Sequence, residues 1–183
     1  LFGEIRQPET NYLIVPVVSS ENRRYIPAAF YSHETIASNL VNIVPGANEY
    51  TFGIMSSEMM MTWIRAVAGR LKSDWRFTKD NVYNNFPWPE NPTKKQIEEV
   101  SFAVKSIIEI RSKYNKSSLA DLYDSNTMPH DLTKAHLQLD KAVDQSYRSQ
   151  PFPNASKRIE FLFELFEKYT GGLFVTNVKK RTK

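Results

Sequence analysis

The sequence predicts an α+β protein, with a β-rich first half carrying one packed helix and an α-helical second half. Three observations carry that expectation. Short apolar runs broken by turn residues fill the first fifty-odd positions, which is a strand signature. Apolar residues at helical spacing dominate from residue 93 onward. Between the two, Pro87, Pro89 and Pro92 each fix φ, so Phe86-Pro87-Trp88-Pro89 reads as a rigid joint. The expected division is therefore 1–92 and 93–183, and the joint's large aromatics are expected to pack the helical half onto the first.

Taken in order, Tyr12–Val18 is apolar and β-branched and predicts a strand, with Pro16 marking an edge or a bulge. Ser19–Asn22 is a turn. Arg23–Phe30 predicts a second strand, interrupted by Pro27, while Thr35–Val44 fits no single period. Pro45-Gly46 turns the chain, and Tyr50–Met55 predicts a short strand. Ser56 or Ser57 then caps a helix, because Met60, Trp63, Ile64, Val67 and Leu71 recur at i, i+3, i+4 and i+7, with Gly69 near its end. In the second half, Thr93 and Gln96 have the spacing of a capping box, and Ile97, Val100, Val104, Ile107, Ile108 and Arg111 continue a stripe. A loop at Asn115–Ser118 precedes a helix starting near Pro129 that buries Leu132, Ala135, Leu139, Ala142 and Val143. Pro151 and Pro153 break it. A last helix shows Ile159, Leu162, Phe163, Phe166 and Tyr169, ends at Gly171-Gly172, and is followed by a basic tail, Lys179–Lys183.

Composition excludes several kinds of chemistry. With no cysteine in 183 residues there is no disulfide and no thiolate, which fits a reducing cytoplasm. No apolar run is long enough to span a membrane and no signal peptide opens the chain. The six glycines are scattered, so there is no phosphate loop or dinucleotide fingerprint. His33, His130 and His136 lack ligand spacing; the latter two read as helix-start and helix-face residues. There is no Gly-x-Ser-x-Gly, no Pro-Asp with Glu-x-Lys or Asp-x-Lys, and no Asn-Pro-Pro-Tyr or Asp-Pro-Pro-Tyr. Acyl transfer, metal-dependent nuclease chemistry and base methylation thus have no visible apparatus here. The chain begins with Leu1, not Met, and reads as a piece of a longer protein whose catalytic motifs lie upstream.

What remains is the stretch Gly69–Phe77. It sets Arg70, Lys72, Asp74 and Arg76 on alternate residues around Trp75, and the charge of the whole chain is +4. In a single extended segment, alternation would put all four on one side. Arg and Lys donate to guanine, and Asp accepts from cytosine, in the major groove. Three readings stand side by side: surface charge around core aromatics; a reader of a DNA groove; and a helical module docking another protein, with the basic strand incidental.

Four segments narrow this. Ser19–Pro27 (SSENRRYIP), Phe52-Gly53-Ile54, Trp63–Lys72 (WIRAVAGRLK) and Tyr83–Pro89 (YNNFPWP) resemble the target-recognition region of the MmeI-like restriction–modification enzymes. Leu122-Tyr123-Asp124, Met128-Pro129, Lys134-Ala135-His136 and Leu139–Asp144 extend the resemblance over nearly the whole chain. The resemblance implies a β-rich target-recognition domain followed by a helical domain. It implies, as partners, duplex DNA and an upstream methyltransferase domain of the same polypeptide. S-adenosylmethionine, and Mg2+ for any cleavage, would belong to that parent enzyme and not to this part. It further implies that Lys72 and Asp74 contact the base pair beside a methylated adenine, where relatives carry Glu and Arg, and that Arg76 contacts a further base. Arg23, Arg24 and Arg70 are the candidates for phosphate contacts. The competing assignment is a helical interaction module that holds the parent enzyme together without reading bases.

Overall fold

The structure is a computed structural model that describes residues 7–171; Gly172 and the Lys179–Lys183 tail lie outside them. Two small antiparallel sheets are built from the first half. β1 (Tyr12–Pro16) lies between β3 (Ala29–Tyr31) and β4 (Val41–Pro45), with Leu13 opposite Phe30 on one side and Val44 on the other. The expected edge or bulge at Pro16 is corrected, since β1 is the central strand. Pro16 is tolerated because it closes that strand opposite Val41, after the β3 ladder has ended at Ile14. One residue later the chain enters the second sheet, in the order β2 (Val18–Ser19), β6 (Asp74–Arg76), β5 (Gly69–Leu71).

The strand expected over Arg23–Phe30 shrinks to its last residues, with β3 beginning at Ala29. Tyr25, Ile26 and Ala28 are apolar because an irregular segment is packed into the core, not because it pairs in a sheet. Thr35–Val44 resolves into a loop followed by β4, and Gly46 takes φ 68° to turn the chain.

The strand expected at Tyr50–Met55 is instead a helix, α1 (Glu49–Met55). The Asn48 side chain accepts from the Thr51 N–H at 2.9 Å, a cap that starts the helix. Burial of the consecutive residues Phe52, Gly53, Ile54 and Met55 then holds it. Gly53 is there for space: a Cβ would meet Val100 Cγ1 at 2.4 Å. α2 (Glu58–Val67) is capped by Ser57, whose Oγ accepts from the Met60 N–H at 3.3 Å. Met60, Trp63 and Ile64 are buried as the stripe predicts, and so are Met59, Met61 and Thr62. Leu71 is not part of this stripe; the helix stops at Val67, and Leu71 is 54% exposed in β5. A π-helical turn, Lys79–Tyr83, follows β6 and offers the Val82 carbonyl to the Trp63 indole N–H at 3.1 Å.

The second half contains α3 (Lys94–Lys113), α4 (Leu119–Leu122), α5 (His130–Tyr147) and α6 (Ala155–Gly171). The Thr93–Gln96 capping box forms, with the Gln96 Oε1 accepting from the Thr93 N–H at 2.8 Å. The four-residue α4 was not anticipated; it carries its own capping box from Ser118 and Asp121. Leu132, Ala135, Leu139, Ala142 and Val143 are buried as expected, whereas Ile108 is exposed on α3. α6 buries only Leu162 completely; its Phe163 and Phe166 reach the Trp63 ring at centroid distances of 5.5 and 5.8 Å.

One apolar core runs through both halves. The expected packing through the Phe86–Pro89 joint is the lesser part of it. Phe86 is buried and Trp88 half-buried, while the Pro87 and Trp88 carbonyls accept from the Tyr147 and Tyr169 hydroxyls at 3.0 and 2.9 Å. The main contact is α1 against α3, with α2 against α6 and α5.

Candidate nucleic-acid interface

The Gly69–Phe77 stretch is not one extended segment. β5 and β6 form a hairpin joined by a two-residue turn, Lys72-Ser73, pairing Leu71 with Asp74, Arg70 with Trp75 and Gly69 with Arg76. Residues opposite one another in an antiparallel pair share a face. Asp74 and Arg76 therefore share a face with exposed Leu71, as alternation predicts, but Arg70 lies on the other face with Trp75. Ser19, opposite Trp75 on β2, is almost fully buried, so the Trp75 face leans on the body and the Asp74–Arg76 face looks outward.

Lys72 stands at the tip. Its φ is 58°, in the left-handed region that a side chain enters at a cost of about 1 kcal/mol or more. Two-residue hairpin turns with positive φ at the first position prefer glycine there. A lysine in that place is a local choice against stability. Lys72 and Arg76 are exposed and form no ion pair among the described residues. Asp74 is half-buried, and its Oδ1 accepts from the Glu21 N–H at 3.3 Å.

Arg70 is held within the protein by its ring contact and through one guanidinium nitrogen. Its guanidinium lies 3.7 Å from the centre of the Trp75 ring, and its Nη1 donates to Glu21 Oε2 at 2.8 Å and to the Ser73 carbonyl at 2.6 Å. Arg23 is half-buried. Arg24 is exposed, 5.3 Å from the Tyr25 ring centre, and lines a cleft of about 520 Å³ with Glu58, Arg65, Asp140 and Arg158. Neither arginine flanks a strand.

The loop that carries Glu21, Arg23 and Arg24 is fastened from behind by the helices. The Tyr25 hydroxyl donates to Asp140 Oδ2 at 2.7 Å, and Asp140 Oδ1 accepts from the Glu58 N–H at 2.8 Å. The Tyr25 ring stacks on His136 at 4.2 Å. Arg111 Nη1 donates to the Ala28 carbonyl at 2.7 Å, and its Nε donates to the Tyr123 hydroxyl, which also pairs with His136 Nε2 at 2.7 Å. His136, expected as a helix-face residue, is completely buried. Burial, and then the nearby Arg111 charge, push its pKa well below the usual imidazole value, so it is neutral. Burial pushes Asp140 up to about 6, against the hydrogen bonds from Glu58 and Tyr25. Sequence reading missed this network. The signal was present: His136, Asp140 and Asp144 recur every four residues on the same side of α5 as Leu132, Leu139 and Val143.

Among the described residues no three acidic or histidine side chains gather as a metal site, and no helix is long and apolar enough to cross a membrane. The geometry supplies an exposed charged hairpin carried by β2, next to a loop that the helices fasten, the form of a module that recognises a target. Two family models agree with that class: the MmeI target recognition domain matches residues 1–90 and the MmeI C-terminal domain matches residues 91–174. The chain belongs to the MmeI family. It is 43% identical over 162 residues to DNA methyltransferase A of Bacillus subtilis (strain 168), covering 88% of this chain and 18% of that protein. It also superposes on a solved structure of the Type IIL restriction-modification enzyme MmeI in complex with DNA, with a TM-score of 0.87 and 45% identity. That match covers 91% of this chain and 22% of the enzyme, so the chain spans about a fifth of either relative.

Proposed function

We propose that this chain selects the DNA sequence for an S-adenosylmethionine-dependent adenine N6 methyltransferase that is coupled to restriction. The observation that carries the reading is the Lys72-Ser73 hairpin, which exposes Lys72 at its tip and sets half-buried Asp74 and exposed Arg76 on one face. The ammonium of Lys72 can donate to guanine O6 and N7, and the carboxylate of Asp74 can accept from cytosine N4. As a pair they specify G·C and reject C·G, each contact being worth about 1–3 kcal/mol. Arg76 reads or positions a neighbouring base. Arg23 and Arg24 meet phosphates, which set register without carrying sequence information. The placement of the pair beside the methylated adenine, with guanine directly 3′ of it, comes from the family resemblance.

Residues 1–92 do the reading in this account, and the helices that follow hold the segment Tyr25–Ala28 next to the reading loop in place. Methyl transfer, the S-adenosylmethionine site and any Mg2+-dependent cleavage belong to the upstream part of the same polypeptide, which works on DNA in the cytoplasm. The test is the full-length enzyme carrying Lys72→Glu together with Asp74→Arg, with methylated positions mapped by sequencing. The base 3′ of the modified adenine should change from guanine to cytosine. An unchanged site would show that these residues do not read that pair.

A further inference from the structure

We infer that Arg70 and Glu21 are positioning residues that set the angle of the reading hairpin, and that Arg70 is not a contact to the DNA backbone. The inference rests on the base-reading assignment of Lys72 and Asp74. Three observations point to it. The Arg70 guanidinium lies 3.7 Å from the ring centre of Trp75, its cross-strand partner, which holds it over the hairpin. One nitrogen of that guanidinium donates both to Ser73, inside the turn, and to Glu21, outside it. The Glu21 backbone N–H in turn donates to Asp74 Oδ1, so one carboxylate oxygen is held and the other is left to accept from a base.

Glu21 thus grips both strands of the hairpin, through Arg70 on β5 and through Asp74 on β6. The grip matters because the hairpin is otherwise poorly restrained. Its strands are three residues each, and its turn holds a lysine at φ 58°. Beyond it, β6 is tied to the body through β2 and through the Phe77 N–H, which donates to the Val17 carbonyl at 2.8 Å. Base reading requires side chains held to within about half an ångström. Arg70 lies on the face of the hairpin opposite Asp74 and Arg76, with its guanidinium over Trp75 and not beside the outward-facing side chains.

The two roles for Arg70 separate cleanly in the full-length enzyme. Arg70→Lys keeps the charge and loses the guanidinium over the Trp75 ring. Glu21→Ala removes the anchor and leaves the backbone N–H on Asp74. In both variants, methylation of the cognate site relative to the site with G·C exchanged for C·G should fall by on the order of tenfold. The slope of log affinity against log salt on non-cognate duplex should stay as in the parent, as should thermal unfolding. Unchanged discrimination in both variants overturns the inference. So does a salt slope in Arg70→Ala that is smaller by about 1 with discrimination intact, the mark of a lost phosphate contact. The Lys72→Glu/Asp74→Arg enzyme is run alongside. If its site does not change, the base-reading assignment itself has failed and Arg70 has nothing to position. If its site changes while the Arg70 and Glu21 variants discriminate normally, only the positioning role has failed.

Discussion

The helical body and the β5–β6 hairpin solve opposite problems. In the body, Trp63 is enclosed by Phe86, Phe163 and Phe166 and its indole N–H is satisfied. Gly53 lets α1 approach α3 closely, the Tyr25 hydroxyl is bonded to Asp140, and the Tyr123 hydroxyl is bonded to Arg111 and His136. In the hairpin, the tip residue pays a backbone penalty, the strands are three residues each, and Lys72, Asp74 and Arg76 stand at the tip and on the outward face. On the proposed reading, stability sits in one region and selectivity in the other. Substitutions in the body should therefore move the unfolding midpoint, and substitutions at the tip should move base preference.

The largest effect should come from Trp63→Ala, which deletes the largest fully buried side chain and orphans the Val82 carbonyl. A loss of about 3–5 kcal/mol is expected, read from urea unfolding of the chain. A loss under about 1 kcal/mol would mean that α2 and α6 do not share the core described here. Gly53→Ala should cost about 1–3 kcal/mol, because its methyl must displace the γ-methyl of Val100, itself held by α1 and α3. A neutral Gly53→Ala would show that the two helices can separate without penalty.

These expectations differ in how visible their residues are in the sequence. The second-half helices were legible because Thr93, Gln96 and the apolar residues of α3 and α5 repeat at helical spacing over many turns. α1 was not, because seven residues are too few to show a period, and Tyr50, Thr51 and Phe52 favour strands by themselves. Only the cap at Asn48 marked it. The hairpin was illegible for a sharper reason. Such turns announce themselves by Asn-Gly or Gly-x, and here the turn is Lys-Ser. If function put lysine where folding prefers glycine, the turn's own signature would be erased by the residue that makes it useful. Lys72, Asp74 and Arg76 could be picked out by residue type and family resemblance; the fold around them, and Arg70's place on the other face, could not.

A smaller effect distinguishes the buried network by pH. Asp140, at about 6 in the folded protein against about 4 unfolded, holds its proton more tightly when folded, so its contribution rises as pH falls from about 6 to 4. Neutral His136 acts in the opposite sense: the unfolded chain takes up a proton below about pH 6.5 and the folded one resists, so stability falls with pH. The two partly cancel. Asp140→Asn removes the compensating term and keeps an acceptor for the Glu58 N–H. Its urea midpoint should therefore fall more steeply than the parent's between pH 6.5 and 4. Parallel curves would show that Asp140 is not carrying a raised pKa.

The most direct test of the division between body and hairpin is Lys72→Gly in the full-length enzyme. Glycine accepts φ near 58° without strain, so the turn should keep its shape and the thermal midpoint should hold or rise, by the equivalent of about 0.5–1 kcal/mol. The guanine donor disappears, so methylation should spread to sites carrying other bases at that position. A raised or unchanged midpoint together with relaxed base preference is the predicted result. A variant that unfolds earlier, or one that is equally stable and still as selective as the parent, would contradict the account.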